Sequence, residues 1–495
     1  MKKHPPRILV ALLSAQLMLM ACTATAHTPL PAEPTRWPEP QTQNWPQGVP
    51  LVRTVPNFQA PSANNCARPI QTREVPGRPQ GQAGNMELRE RMAKSAPAES
   101  AGSSFAAPAP APAAAARAES GALADTARKS ASPPFASSFA PPQPQRQQQP
   151  QQAVVTAGMV DDNADFSSYL AFRNRTRVEH RARDIRERYL LEVKDSRGRG
   201  IADAEVAVQA PTGHAMWART DTAGRVWLHP NAFDPSRSPW YDVAVRKDGR
   251  QAVGRLQRGQ KSSVEVVLDA RAAETRARLD LVFLIDATGS MADEIDKLKA
   301  TLRTIAADVA RLPSQPDLCF GLVAYRDKGD AFLVRSHDLT NDLAAFQGVL
   351  NNLHAAGGGD YPEAMNEALH ETVHNLSWRG DGATRLVVLL ADAPPHLDYG
   401  GPYYDDDMVA ALGKGIKVFS VGASGLDKQG EFIQRQIAQY TGGRFVFLTY
   451  AQAHNPASGP GRETVHDVNN YSVDTLDRLV VRLVSEELGK LARGS

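Results

Sequence analysis

Residues 279–295 read "LDLVFLIDATGSMADEI". An apolar run, broken only by Asp280, ends on Asp286, and Thr288 and Ser290 follow at two-residue intervals. A strand this apolar has no polar face to show to water, so it must be covered on both sides, as in a parallel α/β sheet. A carboxylate and two hydroxyls at the end of such a strand fit three chemistries: a catalytic acid, a phosphate-binding turn, or a cage for a metal ion.

The same pattern continues outward from this stretch. Further buried strands are expected at "CFGLVAY", "RLVVLLA", "IKVFSVG" and "RFVFLT". Between them lie the amphipathic stretches "MADEIDKLKATLRTIAADVARL", "LAAFQGVLNNL", "PEAMNEALHETVHNL" and "QGEFIQRQIAQYT". Strand and helix in alternation predict a doubly wound, mainly parallel sheet over 278–452. Residues 470–492 add a closing helix, with Val473, Leu476, Leu479, Leu483 and Leu488 near one face and too many charges for a membrane span.

Ahead of that domain, 187–272 alternates with period two between Gly and Asp turns ("YLLEV", "AEVAVQA", "YDVAVRKDG", "SSVEVVLDA"), which predicts a small β-sandwich. Trp217, Trp227 and Trp240 within it are core candidates, with a carbohydrate platform as the other reading. Residues 156–186, with "DFSSYLAFRNRT", are expected to hold a short helical docking segment. Residues 22–155, with "APAPAPAAAARAES" and "PPQPQRQQQPQQ", are too poor in large apolar side chains to offset ordering entropy and are expected to be a disordered tether.

With 56 basic and 54 acidic side chains the net charge is +2, so no global field favours nucleic acid. Lys2, Lys3 and Arg7 precede a short apolar run ending in "LMAC" at Cys22. This resembles the lipobox of bacterial lipoproteins. The resemblance implies a signal peptide over 1–21, acylation of Cys22, and a lipid anchor in the outer membrane facing the periplasm or the surface. The remaining cysteines, Cys66 in low-complexity sequence and Cys319 in a buried strand, are not expected to form a disulfide scaffold.

In an open α/β sheet ligands bind beyond the carboxyl ends of the strands. Three acidic segments fall there: Asp286 with Thr288 and Ser290, Asp360 in "GGGDYPEA", and Asp392 at the end of "RLVVLLAD". Oxygen donors from one tight turn, relieved by Gly289, suit a hard divalent cation such as Mg²⁺, or Ca²⁺ or Mn²⁺. "DATGSM", "AYRDKGD", "GGGDYPEA" and "LLADAPPH" together resemble a bacterial von Willebrand factor A domain. The resemblance implies a metal-ion-dependent adhesion site at Asp286, Thr288, Ser290, Asp360 and Asp392. It also implies a protein partner that donates an acidic residue to the ion. Where adhesion-type members carry a neutral Thr, this chain has Asp360, which would hold the metal more firmly and weaken its demand for that partner carboxylate. The order "VKDSRGRGIADAEVAV…TDTAGRVWL" resembles carboxypeptidase regulatory-like and Ig-like modules.

Simpler readings stand beside these. Ser290 can cap the helix that begins at Met291. The charges of "YRDKGD" can line the site or only brace a turn. Asp405, Asp406 and Asp407 can hold a second cation or only complement a helix dipole, and His396 reads as a loop residue. "FLIDATG" also resembles the nucleophile loop of haloacid dehalogenases, but that chemistry needs an acid where Thr288 stands. No Ser/His/Asp order, His-rich zinc spacing or phosphate loop is evident, so a binding module is expected rather than an enzyme. A metal-dependent phosphohydrolase and a structural envelope protein binding through its sandwich are the alternatives.

Overall fold

The structure, a computed structural model, describes residues 66, 69–77, 154–270, 277–380 and 382–493. The expected signal peptide, Cys22 and all of the tether except 66, 69–77 and 154–155 lie outside the described residues. The chain contributes β1 (Thr72–Val75), β2 (Thr156–Val160) and α1 (Phe166–Arg175) before the sandwich. The sandwich strands are β3 (Tyr189–Lys194), β4 (Glu205–Gln209), β5 (Ala215–Arg219), β6 (Arg225–Leu228), β7 (Trp240–Lys247), β8 (Arg250–Gln257) and β9 (Val264–Val267). Then follow β10 (Arg278–Asp286), α2 (Ala292–Ala310), β11 (Asp317–Tyr325), β12 (Val334–Thr340), α3 (Leu343–Asn351), α4 (Met365–His374) and β13 (Ala383–Ala391). Last come α5 (Tyr404–Lys414), β14 (Ile416–Gly422), α6 (Lys428–Tyr440), β15 (Phe445–Gln452), β16 (Asn455–Pro460), β17 (Val473–Thr475) and α7 (Leu476–Arg493).

The main sheet runs β1-β12-β11-β10-β13-β14-β15-β2-β17, with β16 paired to β15. Its centre, β11-β10-β13-β14-β15, is parallel. Side chains along β10 alternate between two cores. Leu279, Leu281, Phe283 and Ile285 pack with α2, α3 and α7. Val282 and Leu284 pack on the other face with α4 and α6. That is the physical reason for the continuous apolar run: both faces of the strand are interior. Asp280, the break in the run, is fully buried against Arg379, whose Nε donates to it at 2.6 Å. The closing helix begins at Leu476. Val473, expected on its face, lies instead in β17 opposite Gly158.

Two further strands differ from expectation. Residues 156–160, expected within a helical segment, form β2 antiparallel to β15 and β17. Residues 72–75, expected in the tether, form β1 on the edge strand β12. Both are short, and their pairing partners lie hundreds of residues away, so neither leaves a local periodicity to detect. Cys66, just before β1, is disulfide-bonded to Cys319 of β11 across 253 residues. Cys66 and β1 are therefore pinned to the sheet, where composition had suggested a free tether. The helical part of 156–186 is α1, capped by Asp165 and docked through Tyr169 and Phe172.

The sandwich consists of a β6-β3-β9 sheet and a β5-β4-β7-β8 sheet around a shared core. β8, "RQAVGRLQ", is too polar to stand out in sequence. The three tryptophans are only partly buried. Trp227 carries Arg188 over its ring and Trp240 carries Arg255, at 3.8 and 4.4 Å. The sandwich core continues into Met408 and Leu412 of α5 and Phe432 and Tyr440 of α6. Asp203 reaches from the sandwich to the start of β13, accepting from Arg219, from Arg385 and from the Gly382 N–H. Burial alone would raise this carboxyl, but Arg219, Arg385 and Lys247 hold it far below the usual range. The sandwich thus docks at the amino ends of the central strands and leaves their carboxyl ends free.

Candidate metal centre

β10 has β11 on one side and β13 on the other, so strand order reverses between β10 and β13. Ile285 pairs with Leu390, which sets Asp286 beside Ala391 and next to Asp392. The fold itself brings these two carboxylates together where an open sheet binds ligands.

The β10–α2 loop folds around Asp286. Its Oδ1 accepts from the Thr288 N–H at 3.0 Å and the Thr288 hydroxyl at 2.6 Å. The Thr288 hydroxyl lies 3.0 Å from that of Ser290. Asp286 and Thr288 are buried, while Ser290 is exposed. Ser290 makes no capping bond, since the short 3-10 turn over Gly289–Met291 precedes α2. The 354–358 loop packs against this turn: Gly289 donates to Gly357 O at 2.9 Å, and Ala356 donates to Ala287 O at 3.0 Å. A Cβ on Gly289 would stand 2.8 Å from the Gly357 carbonyl, so only glycine fits there. From "YRDKGD", Asp330 braces the facing loop by accepting from the Gly358 N–H at 2.8 Å.

A third buried carboxylate, not singled out in the sequence, lies near this loop. Glu363 is buried, and its Oε1 would meet a Cβ at Gly358, the same point that Thr288 approaches. Asp286 Oδ2, Asp392 Oδ1 and Glu363 Oε2 are all buried without a hydrogen-bond partner. Burial, then the charge of Asp392, pushes Asp286 up. Burial raises Asp392 as well. Glu363 is pushed up to about 9 by burial and then by Asp286, Asp327 and Asp392. Three buried acids with free oxygens repel one another, and a hard dication is the group that relieves this. The donor set, carboxylate and hydroxyl oxygens only, suits Mg²⁺ or Ca²⁺ rather than a softer metal. The residues present therefore fit such an ion.

Asp360 stands apart from that group. It is 63% exposed, and its carboxylate faces His396 Nε2 at 3.8 Å. His396 is buried, stacked on Tyr399 at 3.7 Å, and 3.6 Å from Asp327. Asp327, Asp360 and His396 thus form a neighbouring cluster of potential ligands. His396 is part of it, although the sequence suggested only a loop position. The structure brings Asp286, Thr288, Ser290 and Asp392 together and seats Asp360 on the rim. Glu363 carried one signal, its place three residues after Asp360 at the start of a helix, which also reads as an ordinary dipole contact.

Residues 280–394 match the von Willebrand factor A domain family, and the candidate centre lies within them. Distant relatives carry the likeness over similar spans. Alpha-protein kinase vwkA of Dictyostelium discoideum is 28% identical over 28% of this chain and 22% of its own length. The putative ariadne-like RING finger protein R811 of Acanthamoeba polyphaga mimivirus is 30% identical over 25% of this chain and 12% of its own. Von Willebrand factor A domain-containing protein 7 of Mus musculus is 37% identical over 18% of this chain and 9% of its own. The chain thus spans less than a quarter of the length of each of these relatives.

Proposed function

We propose that the protein is a lipid-anchored component of the cell envelope whose von Willebrand factor A domain binds a protein partner through a divalent metal ion. Asp286, Thr288, Ser290 and Asp392 would hold the ion, with Glu363 adding charge beneath it and Asp360 on the rim. The observation that supports this reading is the set of three buried, mutually repelling carboxylates with partnerless oxygens at the loop that carries Thr288 and the exposed Ser290. The sandwich occupies the opposite end of the sheet, so a partner can reach the carboxyl ends. The ion would supply an electrophilic position for an acidic residue of that partner. The extra carboxylates reduce this demand, so the expected interaction is metal-dependent but modest. Thr288 donates to Asp286 and cannot serve as the second acid of a phosphohydrolase, which favours binding over catalysis.

The anchor rests on "LMAC" at Cys22. The Cys66–Cys319 disulfide supports export, because such bonds persist in oxidising compartments. Calorimetry with Mg²⁺ should give about one ion per chain, as a single oxygen-lined site implies, and no heat with Asp286→Ala. Equal affinity in both proteins would remove the centre. Partner capture should fall in EDTA, and Cys22→Ser should leave the membrane fraction.

A further inference from the structure

A second side-chain cluster lies on the flank of the same domain, between α4 and α5. The segment "HETVH", residues 370–374, places His370 and His374 one turn apart on one face of α4. From the first turn of α5, Asp407 Oδ1 meets His370 Nδ1 at 3.0 Å and His374 Nε2 at 2.9 Å. The two imidazoles lie 4.4 Å apart between ring centroids. Asp407 is 97% buried at its side chain (3% exposed), while the histidines keep 22% and 18% exposure, so the carboxylate forms the floor and the rings the mouth. Asp407 Oδ2 is buried without a hydrogen-bond partner. Its neighbours in sequence are engaged elsewhere: Asp405 with Arg181 and Arg183, and Asp406 with Arg183. Lys414, the nearby cation of α5, is committed to the Val373 carbonyl at 2.5 Å.

We propose that His370, His374 and Asp407 form a binding site for a borderline transition cation of the Zn²⁺ class, separate from the oxygen-lined centre. Two imidazole nitrogens and one carboxylate suit Zn²⁺ and disfavour Mg²⁺ and Ca²⁺. Bonds of about 2.0–2.1 Å in a tetrahedron set ligand atoms about 3.3 Å apart, a few tenths of an ångström from the two Asp407–histidine spacings, and all three ligand atoms lie within 4.8 Å of one another. Solvent or a ligand would fill the fourth position. His-Glu-x-x-His on a helix, present at 370–374 and passed over in the sequence reading, is the spacing of metal-dependent peptidases, in which the glutamate acts as the base on bound water. Here Glu371 is turned away. It accepts from the Ser336 hydroxyl at 2.7 Å and from Asn375 at 2.6 Å, and pairs with Arg73 at 3.2 Å. The site therefore has ligands without that base, and its role is to hold the ion rather than to hydrolyse a peptide bond.

Zn²⁺ titrated into the full chain under saturating Mg²⁺ tests the site by calorimetry, and Co²⁺ absorption reports nitrogen ligation. Wild type should take up one Zn²⁺ per chain that Mg²⁺ does not displace. Asp286→Ala should retain it. The double variant His370→Ala/His374→Ala should lose affinity by more than about 100-fold, beyond what removal of an outer-shell partner costs. Circular dichroism would show that the variant keeps its fold, and Asp407→Asn gives a milder substitution with the same expected direction. Zn²⁺ uptake unchanged in the folded histidine variant, or lost only with Asp286→Ala, would overturn the proposal, as would a wild type that binds none. Failure of the Mg²⁺ centre would leave these outcomes unaffected.

Discussion

His229, at the end of β6, is fully buried and stacks on Tyr440 at 5.2 Å between ring centroids. Burial, then the charges of Arg188 and Arg173, bring its pKa from 6.5 down to about 3. Between those values the unfolded chain takes up a proton that the folded chain refuses. Stability is therefore complete above about pH 6.5 and falls toward pH 3, by at most about 1.4 kcal/mol per pH unit for one proton. His337, lowered to about 4 chiefly by burial, acts in the same window. Replacing His229 with Phe should keep the stacking and flatten part of the acid slope in thermal melts taken from pH 7 to 4. A melt series identical to wild type would place the loss elsewhere. At this scale legibility followed chain proximity. Asp286, Thr288 and Ser290 could be read because they share one loop, and Asp392 because it ends a strand. Glu363 could not, since it acquires its neighbours only across elements; Asp407 was read only beside Asp405 and Asp406, because its histidine partners lie on another helix.

Among elements, the central strands and the helices between them were legible because each buries its own periodic face. β1 was not; four register pairs with β12, the Arg73–Glu371 and Glu74–Arg335 ion pairs and the Cys66–Cys319 bond hold it in place. The double variant Cys66→Ser/Cys319→Ser should lose about 2–4 kcal/mol, the usual range for a native disulfide. Hydrogen exchange at Arg73–Val75 should quicken well before that of β10. If those amides exchange alike in variant and wild type, strand pairing and the ion pairs secure the edge. α4 shows how one element serves several surfaces. Its buried face, with Ala368, Leu369 and Val373, packs on the sheet. Its flanks present His370 and His374 to α5 and Glu371 to Ser336 and Arg73.

Over the whole molecule, the sandwich and the α/β domain are joined by a shared apolar core and by buried acids, Asp203 and Glu487 among them. Asp203 faces Arg219 and Arg385, with the three side chains 7%, 6% and 1% exposed. Asp203→Ala would remove the carboxylate that faces both buried guanidinium groups, although Arg219 keeps Glu205 and Arg385 keeps the Arg379 and Lys414 carbonyls; removing one side of a buried pair costs about 3–5 kcal/mol. Urea unfolding should show this loss, together with earlier opening of the sandwich. A loss below about 1 kcal/mol would mean that water enters and hydrates the arginines. This arrangement fixes which end of the sheet is covered, and it is the end opposite the candidate centre.

The sequence by itself determined the doubly wound sheet and the sandwich, because continuous apolar runs and period-two runs each demand their own kind of burial. It also determined the oxygen donors around Asp286, whose spacing within one turn is a local property. Only the tertiary structure decided that β1 and β2 join the sheet, that Cys66 meets Cys319, and that Asp360 faces His396 rather than Asp286. It alone set Asp407 between two histidines and turned Glu371 away from them. The physical reason is common to all of these. Period and loop chemistry are carried by adjacent residues, whereas edge pairing and ligand clusters are contacts between segments that the chain brings together only after it has folded.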